Sequence, residues 1–167
     1  DEHETSWFEV GAGDGRLACH LSADGIKLSG LDFAPRPGQW PRRWEWITGD
    51  IFEGLSSLDS DDHPRGLIGN LFLHHLDQEQ LKRLGTIIEH SFHRVICSEP
   101  ARYGIFEKAA HLLFPILNEV TRHDMVVSIR AGFRPGELRE ALGLSEQWQV
   151  RETVTWLGAY RFDAWRK

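Results

Sequence analysis

The chain has 167 residues, 41% apolar and 26% charged, the balance of one globular domain (1–167) able to bury a core without staples. A formal charge of −6 argues against a general nucleic-acid binder, and no apolar run reaches membrane-spanning length. Cys19 and Cys97 fall in a predicted helix and a predicted strand, outside any C-x-x-C pair, and are expected as reduced, buried thiols.

In chain order, Asp1 to Thr5 is polar and expected to fray. The chain opens on Asp1 rather than Met, so it reads as processed or trimmed. No signal peptide is visible in it, and the cytoplasm is the expected compartment. Ser6 to Leu21 comes next. Trp7, Phe8 and Val10 form an apolar run, Gly11, Gly13 and Gly15 follow at every second position, and Leu17, Ala18 and Leu21 recur at helical spacing. The pattern predicts strand, glycine turn, helix. Such a turn lets the backbone approach a ligand, and the helix start offers free N–H groups. A dinucleotide fingerprint needs a small third residue, but that place is held by Arg16. The run E-V-G-A-G-D-G resembles instead the first motif of the class I S-adenosylmethionine (SAM)-dependent methyltransferases, and the later motifs extend the resemblance over most of the chain.

Ile26 to Leu31 predicts a second strand ending at Asp32. An acid about 20 residues beyond the glycines is placed to accept from ribose hydroxyls, or else is a turn aspartate before Ala34-Pro35. Phe33 suits either adenine packing or the core. Pro35, Pro37, Pro41 and Gly38 exclude a helix over the next stretch, and Trp40, Trp44 and Trp46 are expected to fill core or cover a sheet edge. A third strand, Trp44 to Ile47, precedes Gly49-Asp50-Ile51. The resemblance implies an adenine segment there, with the Asp50 carboxylate and the Ile51 N–H as partners. Leu55 to Pro64 reads as a polar loop with Asp61-Asp62 at its tip.

Arg65 to Leu73 predicts a fourth strand, with Asn70 where the chain leaves the sheet. Asp77 and Gln80 form a capping box, and Leu81, Leu84, Ile87 and Ile88 are the apolar face of the helix that follows. The run N-L-F-L-H-H-L is similar to the fourth motif of small-molecule methyltransferases, which implies that Asn70 and Leu71 lie at the reacting edge. His74 and His75 are candidate bases for a hydroxyl acceptor, or else helix-entry residues. Adjacent histidines do not make a metal ligand set.

Arg94 to Ser98 predicts a fifth strand ended by Glu99-Pro100, and Ile105 to Val120 a helix kinked at Pro115. Thr121 to Phe133 reads as a surface loop with ordinary ion pairs, or as a recognition segment in which Arg122, His123 and Arg130 meet an anionic or phenolic substrate. His123 is a third candidate base. Pro135 to Leu142 predicts a short helix ended by Gly143. Trp148–Arg151 and Val154–Tyr160 then read as a closing hairpin.

The expected fold is α/β: a Rossmann-like doubly wound, mostly parallel sheet with an antiparallel C-terminal hairpin. The resemblance implies SAM as cofactor. Glu9, Gly11, Ala12, Gly13 and Gly15 would hold its methionine part, Asp32 and Phe33 its ribose and adenine, and Asp50, Ile51, Asn70 and Leu71 the remainder. The activity implied is methyl transfer to a small molecule, such as a phenolic or polyketide-like hydroxyl. The alternative is a SAM-binding or scaffold domain without transfer. The helices that the family places ahead of the first strand are missing from this sequence, so either the chain is truncated or something else covers the front of the pocket, a second copy of the chain among the options.

Overall fold

The computed structural model describes residues 6–58, 65–112 and 118–167. The expected frayed start, the Asp61-Asp62 loop tip and the Pro115 kink lie outside the described residues.

The apolar run ahead of the glycines forms β1 (Ser6–Val10), and the helical spacing behind them forms α1 (Arg16–Ala23). β2 (Leu28–Asp32) and β3 (Trp46–Thr48) follow, with no helix across the proline-rich stretch between them. A short helix, α2 (Ile51–Ser56), leads to β4 (Arg65–Asn70), and one tight helical turn (Leu73–His75) leads to α3 (Gln78–Ser91). β5 (Arg94–Pro100), α4 (Gly104–Leu112), α5 (Glu119–Ala131) and α6 (Glu137–Leu142) come next. β6 (Trp148–Val154) and β7 (Ala159–Arg166) close the chain.

The strands form one sheet in the order β3-β2-β1-β4-β5-β7-β6. The first five lie parallel, and β7 pairs antiparallel with both β5 and β6. Successive side chains point to opposite faces of a strand. Phe8, Val10, Leu31 and Leu67 accordingly pack with Leu84 and Ile88 of α3 and Leu138 of α6. Leu28 joins Ala18 of α1 and the buried Trp40 in a separate cluster, with Trp7, Trp44, Trp46 and Ile68 packed against it. The tryptophans therefore fill core, as their crowding implies. Both faces of the sheet are covered, and the fold is doubly wound.

Several elements depart from the sequence reading. Leu55 is buried in α2, not in a polar loop, because Asp50 caps a helix there: its Oδ1 accepts from the N–H groups of Phe52 and Glu53 at 2.8 and 3.2 Å. β4 stops at Asn70, since Leu71 takes a left-handed backbone (φ 55°) that no strand can continue. β5 runs through Glu99 to Pro100. Residues 121–131 belong to helix α5, whose cap is Asn118. The hairpin turns at residues 155–158, where Gly158 supplies a positive φ, so Tyr160 belongs to the start of β7 and not to its end. Cys97 is buried, but Cys19 is only half-buried.

Candidate functional site

β1 delivers the chain to the carboxyl edge of the sheet at Val10, and the three glycines turn it into α1. Gly11, Gly13 and Gly15 all have positive φ (64°, 53° and 74°). At Gly11 the requirement is doubled, because a Cβ would overlap the ring of Phe72. Phe72 follows the left-handed Leu71, so the chain leaving β4 closes down on the turn leaving β1. Between them lies a cavity of about 280 Å³, with Glu9, Gly11, Ala12 and Gly13 on one side and Asn70 and Leu71 on the other. β1 and β4 are neighbours in the sheet, and strand order reverses at this point: β2 and β3 lie to one side of β1, β4 and β5 to the other. Open α/β sheets bind ligands at such a point.

Glu9 is 3% exposed, and its Oε2 has no hydrogen-bond partner among the described residues. Burial, then the charges of Asp14 and Asp32, push its pKa up to about 7. Asp32, at the end of β2, is tied to the turn: its Oδ2 accepts from the Gly13 N–H and its Oδ1 from the Ala34 N–H, each at 2.8 Å. Each carboxylate oxygen can take a second donor. Phe33 is 72% exposed, which excludes the core role. Asp50 and the buried Ile51 stand at the carboxyl end of β3 as the cap and first residue of α2. Gly15, Asp32, Phe33, Asp50 and Ile51 do not line the cavity; Asp32 reaches its rim through its bond to the Gly13 N–H.

The two adjacent histidines have different environments. His74 is buried, and its Nδ1 lies 2.6 Å from Oε2 of Glu99, a carboxylate with no exposed surface. Oε1 of Glu99 also accepts from the N–H groups of Phe72 and Leu73 at 3.0 and 2.9 Å. His75 is exposed, its ring 4.1 Å from that of His74. Desolvation and the neighbouring His74 lower its pKa, with Glu99 acting in the opposite sense. His123 is exposed on α5, which packs against the turn carrying the two histidines. Arg130 is held by Glu107 of α4 at 2.5 Å, and Arg122 is half-buried on α5. Glu99 went unread in the sequence. The available signal was an acid inside an apolar strand, and the following proline made it look like the strand's end.

A larger groove, about 840 Å³, opens just past His75 between the start of α3, α6 and Phe133, with Leu76 in its wall. Among the described residues no group of three or more His, Cys, Asp or Glu side chains is arranged to hold a metal ion. No described helix is long and apolar enough to cross a membrane.

No protein-family model matches the chain, and no curated protein matches it in sequence. Solved structures do match in shape. The plantazolicin methyltransferase BpumL, crystallised with a desmethylplantazolicin analogue and S-adenosylhomocysteine (SAH), aligns over 98% of this chain and 77% of its own, with a TM-score of 0.74 and 9% identity. A SAM-dependent methyltransferase from Anabaena variabilis aligns over 99% and 79%, with a TM-score of 0.67 and 12% identity. One from Archaeoglobus fulgidus aligns over 97% and 86%, with a TM-score of 0.60 and 15% identity. With its strand order, its antiparallel closing pair and these neighbours, the chain has the fold of the class I SAM-dependent methyltransferases.

Proposed function

We propose that the chain binds SAM at the β1–β4 edge and transfers its methyl group to a small-molecule hydroxyl. The observation that carries this reading is the convergence of a buried, unpartnered Glu9 oxygen, a glycine turn with three positive φ angles, and Asn70-Leu71 on one cavity at the reversal of strand order. The residues fit the cofactor. Glu9 and the glycine turn receive the charged amino-acid end, where a cation satisfies the orphaned oxygen. Asp32 takes the ribose hydroxyls on lone pairs left over from Gly13 and Ala34. Phe33 offers an exposed aromatic face to the adenine, and Asp50 and the N–H of Ile51 offer it an acceptor and a donor. Neighbouring structures hold SAH, the product of SAM, which supports the assignment.

When bound, the cofactor supplies a methyl carbon that is already electrophilic. The chain then has to exclude water, align the acceptor and remove one proton. Alignment alone supplies much of the rate of such a displacement. The groove past His75 is the space for the acceptor. His75 is the base this reading favours, because it is exposed and because desolvation, then His74, lower its pKa below the ordinary imidazole value. His74, buried beneath it and held by Glu99, orients it, and His123 on the adjoining helix is a further candidate base. One neighbour is a plantazolicin methyltransferase crystallised with a desmethylplantazolicin analogue, which supports a compact organic molecule as the acceptor class, phenols included.

Calorimetric titration with SAH is the direct test. Micromolar binding that Asp32→Ala weakens about tenfold or more is the expected result, since hydrogen bonds to a charged group contribute about 1.5–3 kcal/mol. Product from a panel of phenols would establish transfer, whereas SAH binding without turnover would reduce the chain to a binding domain. NADH binding with no SAH binding would overturn the assignment.

A further inference from the structure

Two carboxylates are buried near the carboxyl edge of the sheet, and they are treated differently. Glu99 accepts from backbone N–H groups and pairs with a histidine. Glu9 has an oxygen, Oε2, with no hydrogen-bond partner among the described residues. Its neighbours across the sheet, Gly30 on β2 and Ile68 on β4, bring no charge. The charged groups that face it are both acidic: Asp14 in the glycine turn and Asp32 at the end of β2. The nearby cation, Arg16 at the start of α1, is spent on Asp14 at 2.9 Å. A buried carboxyl among carboxylates holds a proton to spare itself an unpaired charge, and at neutral pH the Glu9 site is about half protonated. It also lines the cavity, so a ligand can reach it.

We propose that Glu9 exchanges its proton for the ammonium group of the ligand, and that this exchange selects a thioether nucleoside carrying an amino-acid end over the same nucleoside without one. The inference rests on the reading of the cavity as the cofactor site. The balance is simple. The carboxyl O–H bond breaks and its proton goes to solvent. The carboxylate that remains pairs with the ligand's ammonium, which keeps all its protons. One proton leaves for each ligand bound to a protonated site, and none leaves where the site was already ionised.

The test is titration of the whole chain with SAH and with methylthioadenosine, in buffers of contrasting ionisation enthalpy, at about pH 6 and about pH 8. SAH is expected to release nearly one proton at the lower pH and few at the higher, and to bind about tenfold more tightly at the higher. Methylthioadenosine, which lacks the ammonium, is expected to release none and to show no such dependence. Glu9→Gln is expected to bind SAH more weakly, without proton release and without the pH dependence. If that variant does not fold, the contrast between the two ligands still decides. SAH binding without proton release, or equal release with both ligands, overturns the exchange while leaving the cofactor site standing. No SAH binding at any pH overturns the cofactor reading and the exchange with it.

Discussion

Glu9 stands in β1 between Phe8 and Val10, where its neighbours in sequence are core residues. Its pKa moves from an ordinary 4.5 to about 7 on folding, so between those values the folded chain binds more protons than the unfolded one. Stability from this group is therefore complete below about pH 4.5 and is lost as pH rises through about 7. Glu9→Gln removes the penalty: urea unfolding at about pH 8 should find the variant more stable by up to about 3 kcal/mol, and near pH 4 no gain of this kind. A variant less stable at both pH values would mean that the carboxylate is paired in the fold. The same residue that costs stability is the one proposed to bind the cation, which is the trade-off expected of a binding group built into a packed strand. His75 gives a second titration. Its pKa is lowered, so a rate that depends on its free nitrogen should hold at neutral pH and fall only below the pH at which an ordinary imidazole becomes protonated. His75→Asn should flatten that acid limb. A pH profile unchanged by the substitution would assign the proton transfer elsewhere.

The corner between β4 and α3 depends on Glu99, which holds three backbone N–H groups, those of Phe72, Leu73 and His74, and the His74 ring across a gap of about 25 residues in sequence. Glu99→Ala leaves those donors buried without an acceptor and should cost at least about 3 kcal/mol in urea unfolding. Glu99→Gln keeps one oxygen for Phe72 and Leu73 and should cost distinctly less. Equal losses would mean that the charge, not the clamp, holds the corner. Local signals in this region were readable where they complete themselves within one turn. The Asp77–Gln80 box and the Gly143 stop both stand as the residues imply. Glu99 was unreadable because its partners lie on another segment. α2 was missed because six residues make too few periods, and its cap, Asp50, also fits a bare turn. The α5 stretch reads as a loop or a recognition segment in sequence because its charges are spread along a helix with no dominant apolar stripe. The hairpin was displaced because Trp156 and Leu157, apolar and suited to a strand, sit at an exposed turn, 86% and 74% accessible. The glycine turn, Asp32 and Asn70 were legible because each marks a strand's end, which backbone geometry alone demands.

At the scale of the molecule, the candidate site draws on the ends of β1, β2 and β4, and Asp32 is already bonded across to Gly13. A ligand seated there bridges segments that are distant in sequence and adjacent in the centre of the sheet. It should therefore resist unfolding of the whole chain, beyond quieting one loop. At a hundred times its dissociation constant, SAH should add about 2.7 kcal/mol, which for a chain of this size raises Tm by about 5–10 °C. Asp32→Ala, binding about tenfold or more weaker, should lose about half of that rise or more at the same SAH concentration. If Glu9 exchanges its proton, the rise at a fixed SAH concentration should also be larger at about pH 8 than at about pH 6, by about 1.4 kcal/mol for a tenfold change in affinity. Calorimetric scans at the two pH values measure both effects together. A Tm that does not move, with hydrogen exchange slowed only in the glycine turn, would show that this edge opens as a separate unit. The site would then be coupled to a local equilibrium, and the central position of β1 would not by itself make binding a global event.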